Sequence, residues 1–157
     1  MKAEHFRKLY VYHFALNRKI WDQCITGLTE EQFKKKLDYS TGSIRNQSVH
    51  IMNVDNSWFY GLRGLESPGY TNPVYLSTKE KVRTRWDEVE AEMQTYLDGL
   101  TDDDVYQPFE QGLEVWQVLF HVLNHGTDHR AQMLALLNQI GVETFPQDYV
   151  HYLFGRI

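Results

Sequence analysis

The sequence has 157 residues, a formal net charge of −5 and 42% hydrophobic residues. This length fits one domain, and we expect residues 1–157 to form it. The acidic balance argues against nucleic-acid binding, which depends on clustered Lys and Arg. No apolar run approaches the roughly 18 residues that span a bilayer, and the N-terminus lacks the apolar stretch of a signal peptide. We therefore expect a cytoplasmic protein without a membrane partner.

The first half of the chain shows three helical patterns. Apolar residues recur every three or four positions from about Glu4 to Leu28, which predicts a first long helix. The tetrapeptide Thr29–Gln32 has the form of a capping box that opens a short helix ending at Leu37. Ser43 is a candidate N-cap for a second long helix, Ile44 to about Leu62. The single cysteine, Cys24, excludes an intrachain disulfide and is predicted to be buried.

The second half adds two more long helices. Residues 77–80 (Ser-Thr-Lys-Glu) read as another capping box, and the apolar period behind them continues to Leu100. Residues 105–109 could form a short extended piece. The last long helix runs from about Leu113 to Ile140, and Gly141 is placed to end it. The apolar tail, residues 142–157, is expected to pack back as a short helix or against a partner subunit. These patterns predict an all-α fold, a four-helix bundle with short extra helices in its connections.

Four histidines form the most informative pattern. His121, His125 and His129 recur every four residues, so they lie above one another on one helix face. An adjacent pair could share a metal ion, but His121 and His129 are about 12 Å apart along the axis and could not both bind it. A third ligand must then come from another helix, and His50 in the middle of the second long helix is the obvious candidate. The alternative is that these histidines have ordinary hydrogen bonds in the core or at the surface.

The residue types around these histidines restrict the chemistry. No glutamate follows the first histidine, so the His-Glu-x-x-His motif of zinc proteases is absent. The motif also lacks the carboxylates that non-haem iron oxygenases and di-iron bundles use. Three neutral imidazoles suit zinc, nickel, iron or copper and leave at least one open coordination position; we expect zinc or nickel, with iron as a further candidate.

These features resemble the DinB/YfiT-like family of damage-inducible four-helix-bundle metalloenzymes. The resemblance rests on His50 and on residues 121–132, where histidines recur every four residues and Arg-x-Gln follows the last of them. It extends over essentially the whole chain. It implies that His50, His125 and His129 bind a divalent metal ion, and that His121 flanks the site without binding.

The resemblance also implies a reaction. Some members of the wider superfamily are thiol S-transferases, so we expect a metal-dependent enzyme in which the metal activates a low-molecular-weight thiol for attack on a small-molecule substrate. One alternative is a hydrolase that uses metal-bound water. Another is a stress-related bundle in which the metal is structural and no reaction is catalysed. The sequence identifies no catalytic residue besides the metal ligands.

Two further expectations concern apolar surface. Trp58, Phe59 and Tyr60 follow His50 and form either one wall of a pocket or part of the core or a dimer interface. Apolar residues of the first helix and the tail favour a homodimer, the commonest oligomer.

Overall fold

A computed structural model describes residues 1–156, and Ile157 lies outside the described residues. Its long helices are α1 (Ala3–Ile20), α3 (Ile44–Leu62), α4 (Lys79–Gly99) and α5 (Val115–Gln139). The short helices are α2 (Glu30–Lys34) and α6 (Tyr149–Leu153). A π-helical turn (Trp21–Ile25) extends α1, and two 3₁₀ turns (Asp104–Tyr106 and Glu110–Gly112) precede α5. The predicted all-helical class is confirmed.

The four long helices pack around a common core. Helices α1 and α3 each contact both α4 and α5. At the centre, the ring of Tyr10 meets the ring of Phe59 edge-on at 5.5 Å between centroids. The Tyr10 hydroxyl donates to the carbonyl of Leu119 at 3.0 Å, which satisfies its polar end inside the core. Other fully buried core side chains come from all four helices: Phe6, Leu16, Ile51, Met52, Met93, Leu97 and Leu136.

Two of the three predicted N-caps are confirmed. The Ser43 hydroxyl accepts a hydrogen bond from the backbone N–H of Asn46 at 3.0 Å, so α3 begins at Ile44 as expected. Thr29 accepts from the backbone of Gln32 at 3.1 Å, and the Gln32 side chain accepts in return from Thr29 at 2.9 Å. This reciprocal pair is the capping box read from the sequence.

The predicted capping box at residues 77–80 is wrong by one residue. The N-cap of α4 is Thr78, whose hydroxyl accepts from the backbone N–H of Lys81 at 3.3 Å. The backbone N–H of Lys79 donates instead to Glu30 of α2 at 3.0 Å. A side chain distant in sequence therefore satisfies one of the free N–H groups of α4, and local spacing does not reveal such a contact.

The connections differ in detail from the sequence patterns. The α-helical part of the first segment ends at Ile20, well before Leu28. In the piece expected to be extended, Val105 lies in a 3₁₀ turn, and Pro108 forms an isolated antiparallel bridge with Glu114. At the end of α5, Gly141 adopts φ +83° and donates to the Asn138 carbonyl at 3.0 Å, which confirms the predicted C-terminal cap.

The described part of the tail packs back on the bundle as a short helix, as expected. The rings of Tyr149 and Tyr152 lie 5.0 Å and 5.3 Å from the ring of Tyr12 on α1. The Tyr12 hydroxyl donates to the backbone carbonyl of Gln147 at 2.6 Å. Among residues 1–156, no helix has both the length and the apolar character needed to cross a membrane.

Helices α1 and α5 are in close contact at Gly126. His13 of α1 is completely buried against this glycine. A Cβ atom at position 126 would lie 2.3 Å from Cε1 of His13 and 3.0 Å from Nη1 of Arg130. The absence of a side chain at Gly126 is therefore what allows the His13 ring to lie between the two helices.

We expect Gly126→Ala to destabilise the protein by about 1–3 kcal/mol, because the new methyl group overpacks the contact with His13. Urea unfolding measures the change. The matched control is Gly99→Ala at the end of α4, where a Cβ would meet nothing within 4 Å. That substitution should leave stability unchanged or raise it by up to about 1 kcal/mol. Equal effects of the two substitutions would contradict this account of the α1–α5 contact.

Candidate metal centre

Three histidines from two neighbouring helices face one another. His50 lies in the middle of α3, and His125 and His129 lie one turn apart on α5, which packs directly against α3. All three rings are half-buried. The four-residue spacing brings His125 and His129 to the same face, and the packing of α3 brings His50 opposite them.

The distances between the ring nitrogens fit a shared metal ion. Nε2 of His50 lies 3.1 Å from Nε2 of His125 and 3.3 Å from Nε2 of His129. Four ligands placed tetrahedrally at about 2.0–2.1 Å from zinc are themselves about 3.3 Å apart. Among residues 1–156, these three histidines are the group whose potential ligand atoms lie close enough to hold an ion. The cluster therefore has the dimensions of a three-nitrogen metal site.

The surroundings keep these imidazoles neutral. Burial, with smaller contributions from the nearby charges of His129 and His50, lowers the pKa of His125 to about 3. Burial and then His129 lower the pKa of His50, against a smaller opposing effect of Asp55. Burial also lowers the pKa of His129, and Asp128 opposes this shift. Neutral imidazole is the form that binds metals, so the site is in its binding form at pH 7.

Gln47 supports the cluster and was not identified from the sequence. Its side-chain nitrogen lies 2.8 Å from Nδ1 of His129 and donates to the His129 carbonyl at 3.0 Å. Its side-chain oxygen accepts from the hydroxyls of Ser40 at 2.9 Å and Thr41 at 2.8 Å. The amide is thus fixed on both sides, and it contacts both the ring and the backbone of His129. Its one sequence signal is a polar residue on α3, one turn before His50.

Arg130 holds α5 in place from behind the cluster. Its guanidinium is buried between α5, α1 and the tail. It donates to Nδ1 of His13 at 3.0 Å, to Asn17 at 3.2 Å and to Gln147 at 3.1 Å. The proton of His13 then lies on Nε2, 3.4 Å from the buried carboxylate of Asp55. This network ties α5 to α1, α3 and the tail.

The remaining histidines lie outside the cluster. His121 is exposed, and its ring meets the ring of Trp58 edge-on at 5.1 Å between centroids. His5 accepts a hydrogen bond from the backbone of Lys2 at the start of α1. His13 belongs to the buried network, and His151 lies in α6, 4.0 Å from Asp148.

Comparison with known proteins places this arrangement in a family. The sequence matches the family model described as the DinB family over residues 1–156. The chain belongs to the DinB family. Protein DinB of Bacillus subtilis is 27% identical to it over 164 aligned residues, which cover 94% of this chain and 92% of the relative. A second Bacillus subtilis relative, the uncharacterized protein YizA, is 26% identical and covers 80% of this chain, with 82% of its own length aligned.

Solved structures of DinB-like proteins share the fold. A crystal structure of a DinB-like protein from Bacillus cereus aligns with a TM-score of 0.76 at 21% identity, covering 94% of this chain and 98% of the other. A DinB family member from Shewanella denitrificans aligns with a TM-score of 0.56 at 17% identity, covering 94% and 88% of the two chains. At these identities the likeness establishes the all-helical fold.

The lowered pKa of His125 makes stability without bound metal depend on pH. The folded-state pKa is about 3, below the ordinary value of 6.5. Between these values the unfolded chain binds a proton that the folded chain does not, so stability falls as the pH falls from 6.5 towards 3. We expect His125→Gln to reduce this slope by less than about 1.4 kcal/mol per pH unit, because the ring is partly solvated.

Urea unfolding of chelator-treated protein at several pH values between 4 and 7 measures the slope. Wild type and His125→Gln are compared in the same buffers. Identical slopes for the two proteins would contradict the assignment of this pH dependence to His125.

Proposed function

We propose that this DinB family protein is a metal-dependent enzyme with the chemistry of a thiol S-transferase. His50, His125 and His129 would hold a divalent ion, with zinc or nickel as the expected metal. The observation that carries the proposal is the convergence of three Nε2 atoms, those of His125 and His129 lying 3.1 Å and 3.3 Å from that of His50, with no carboxylate or thiol in the group. A purely structural zinc site is normally closed by a fourth protein ligand, whereas a catalytic site keeps a position for a substrate.

The thiol is expected to come from a second substrate. Cys24 is the single cysteine of the chain; it is buried, and its Sγ lies 3.7 Å from the carbonyl of Glu143. Burial raises the pKa of this thiol, which disfavours the reactive thiolate. A low-molecular-weight thiol entering the open position would provide the sulfur that the chain does not.

The chemistry supplied by a divalent ion in such a site is the lowering of the pKa of a coordinated thiol. The chain contributes the geometry. The two α5 histidines and His50 define one face of the site, and Gln47 holds the His129 ring. In the transfer step the sulfur forms a bond to an electrophilic carbon, the leaving group departs with its electron pair, and the thiol proton passes to solvent.

Metal content tests the binding part of the proposal. Untagged protein analysed by mass spectrometry should contain a near-stoichiometric divalent metal or take one up after dialysis. His50→Ala, His125→Ala and His129→Ala should each lower metal affinity by more than about 100-fold, since even losing a supporting contact costs 10–100-fold. His121→Ala is the matched control and should keep the metal. Loss of metal in His121→Ala, or retention in His125→Ala, would overturn the ligand assignment.

A transfer assay tests the reaction. Loaded protein is incubated with cysteine and a chloronitroaromatic electrophile, and released chloride is measured against thioether formed. We expect the two to appear in equal amounts and at a rate that His125→Ala reduces to background. The enzymatic proposal would be contradicted if the protein held stoichiometric metal but transferred no thiol to this or to other carbon electrophiles. The protein would then be a metal-binding bundle without this activity.

A further inference from the structure

A cavity with aromatic walls lies beside the C-terminal part of α3, beyond the histidine cluster. Its volume is about 370 Å³, and Trp58 of α3, Tyr70 of the α3–α4 connection and Phe109 of the α4–α5 connection line it. The rings of Trp58 and Phe109 are 6.2 Å apart. A Cβ at Gly61 would lie 3.0 Å from the Phe109 ring, so the absence of a side chain there admits that ring against α3.

His121 connects this cavity to the candidate metal centre. Its ring lies 6.0 Å from that of His125 and 5.1 Å from that of Trp58. Trp58 follows His50 by eight residues, which is about 12 Å along a helix axis. A molecule with one end at the cluster and the other in the cavity would therefore span about 12 Å and pass His121.

The charges that line the cavity select its ligand. Glu66 and Glu110 both line it and are exposed to solvent, and neither Lys nor Arg is among the described residues in its walls. The faces of aromatic rings carry negative potential and attract cations, most strongly in Trp and Tyr. The rings and the carboxylates therefore both favour a cation, whereas both would repel an anion.

The outer wall of the cavity is fixed to α3. Asn53 donates to the backbone carbonyl of Thr71 at 2.9 Å and accepts from its N–H at 3.0 Å. The hydroxyls of Ser57 and Ser67 lie 3.1 Å apart. These contacts hold the segment that carries Glu66 and Tyr70, so the cavity is formed before a ligand arrives.

We propose that this cavity binds an organic cation, an alkyl- or arylammonium group, as the distal part of the substrate whose reacting end lies at the histidine cluster. The link to the cluster rests on the proposed function. The cavity itself is defined by its own residues, and its ligand can be tested with and without metal.

Benzyltrimethylammonium is the probe, because it combines a flat ring with a permanent positive charge. Isothermal titration with chelator-treated and metal-reloaded protein should give saturable one-to-one binding in both forms. Benzyl alcohol, of similar shape but uncharged, should bind at least about threefold more weakly, and benzoate more weakly still. Absence of saturable binding at millimolar concentration, or equal binding of benzoate, would overturn the proposal.

Variants locate the binding. Trp58→Leu and the double variant Glu66→Gln/Glu110→Gln should each weaken binding of the probe by about three- to tenfold. The double variant Glu4→Gln/Glu88→Gln removes two carboxylates that do not line the cavity and should bind as wild type does. Far-UV circular dichroism confirms that each variant is folded. Unchanged binding in both cavity variants, or an equal loss in the control, would place the ligand elsewhere and overturn the proposal.

Metal content measured on the same samples separates the two proposals. Cavity variants that lose the probe but keep the metal support a distinct subsite. Wild-type protein that holds metal but does not bind the probe would overturn this inference and leave the proposed function standing. Protein that binds the probe but takes up no metal would overturn the proposed function.

Discussion

The candidate site depends on the fixed position of α5 between α1 and α3. On one side, the glycine at position 126 lets the buried His13 ring reach the α5 backbone. On the other side, His50 of α3 meets His125 and His129. Arg130, one residue after a cluster histidine, is hydrogen-bonded to α1 and to the tail. A rotation of α5 about its axis would break these contacts together, so the histidine geometry is set by packing on the opposite face.

This packing also gives the three histidines their chemical character. Partial burial removes water from the rings and lowers the pKa of all three, and the neighbouring histidines lower the pKa of His50 and His125 further. The Nε2 atoms of the three neutral rings lie together, and that of His50 faces both of the others. A divalent cation bound among these nitrogens would replace their mutual contacts, and its binding would also stabilise the fold.

The sequence predicted local features better than tertiary ones. The hydroxyl of Ser43 marked the start of α3, and Gly141 marked the end of α5, because caps depend on neighbouring residues. The start of α4 lies one residue beyond the predicted one, where Thr78 is the N-cap and Glu30, distant in sequence, binds the Lys79 backbone. The spacing of His125 and His129 follows from helix geometry. His50 was predicted as the third ligand from its place in the middle of another helix and from the family resemblance. The contacts of Gln47 and Arg130 were not predicted, since most of their partners are distant in the sequence.

X-ray absorption spectroscopy of metal-loaded protein tests the central claim most directly. The account predicts three imidazole nitrogens at about 2.0–2.1 Å in a zinc-loaded sample. It also predicts that a sulfur at about 2.3 Å joins them when a small thiol is added. A first shell with fewer than three imidazoles, or one closed by a fourth protein ligand that excludes the thiol, would contradict it.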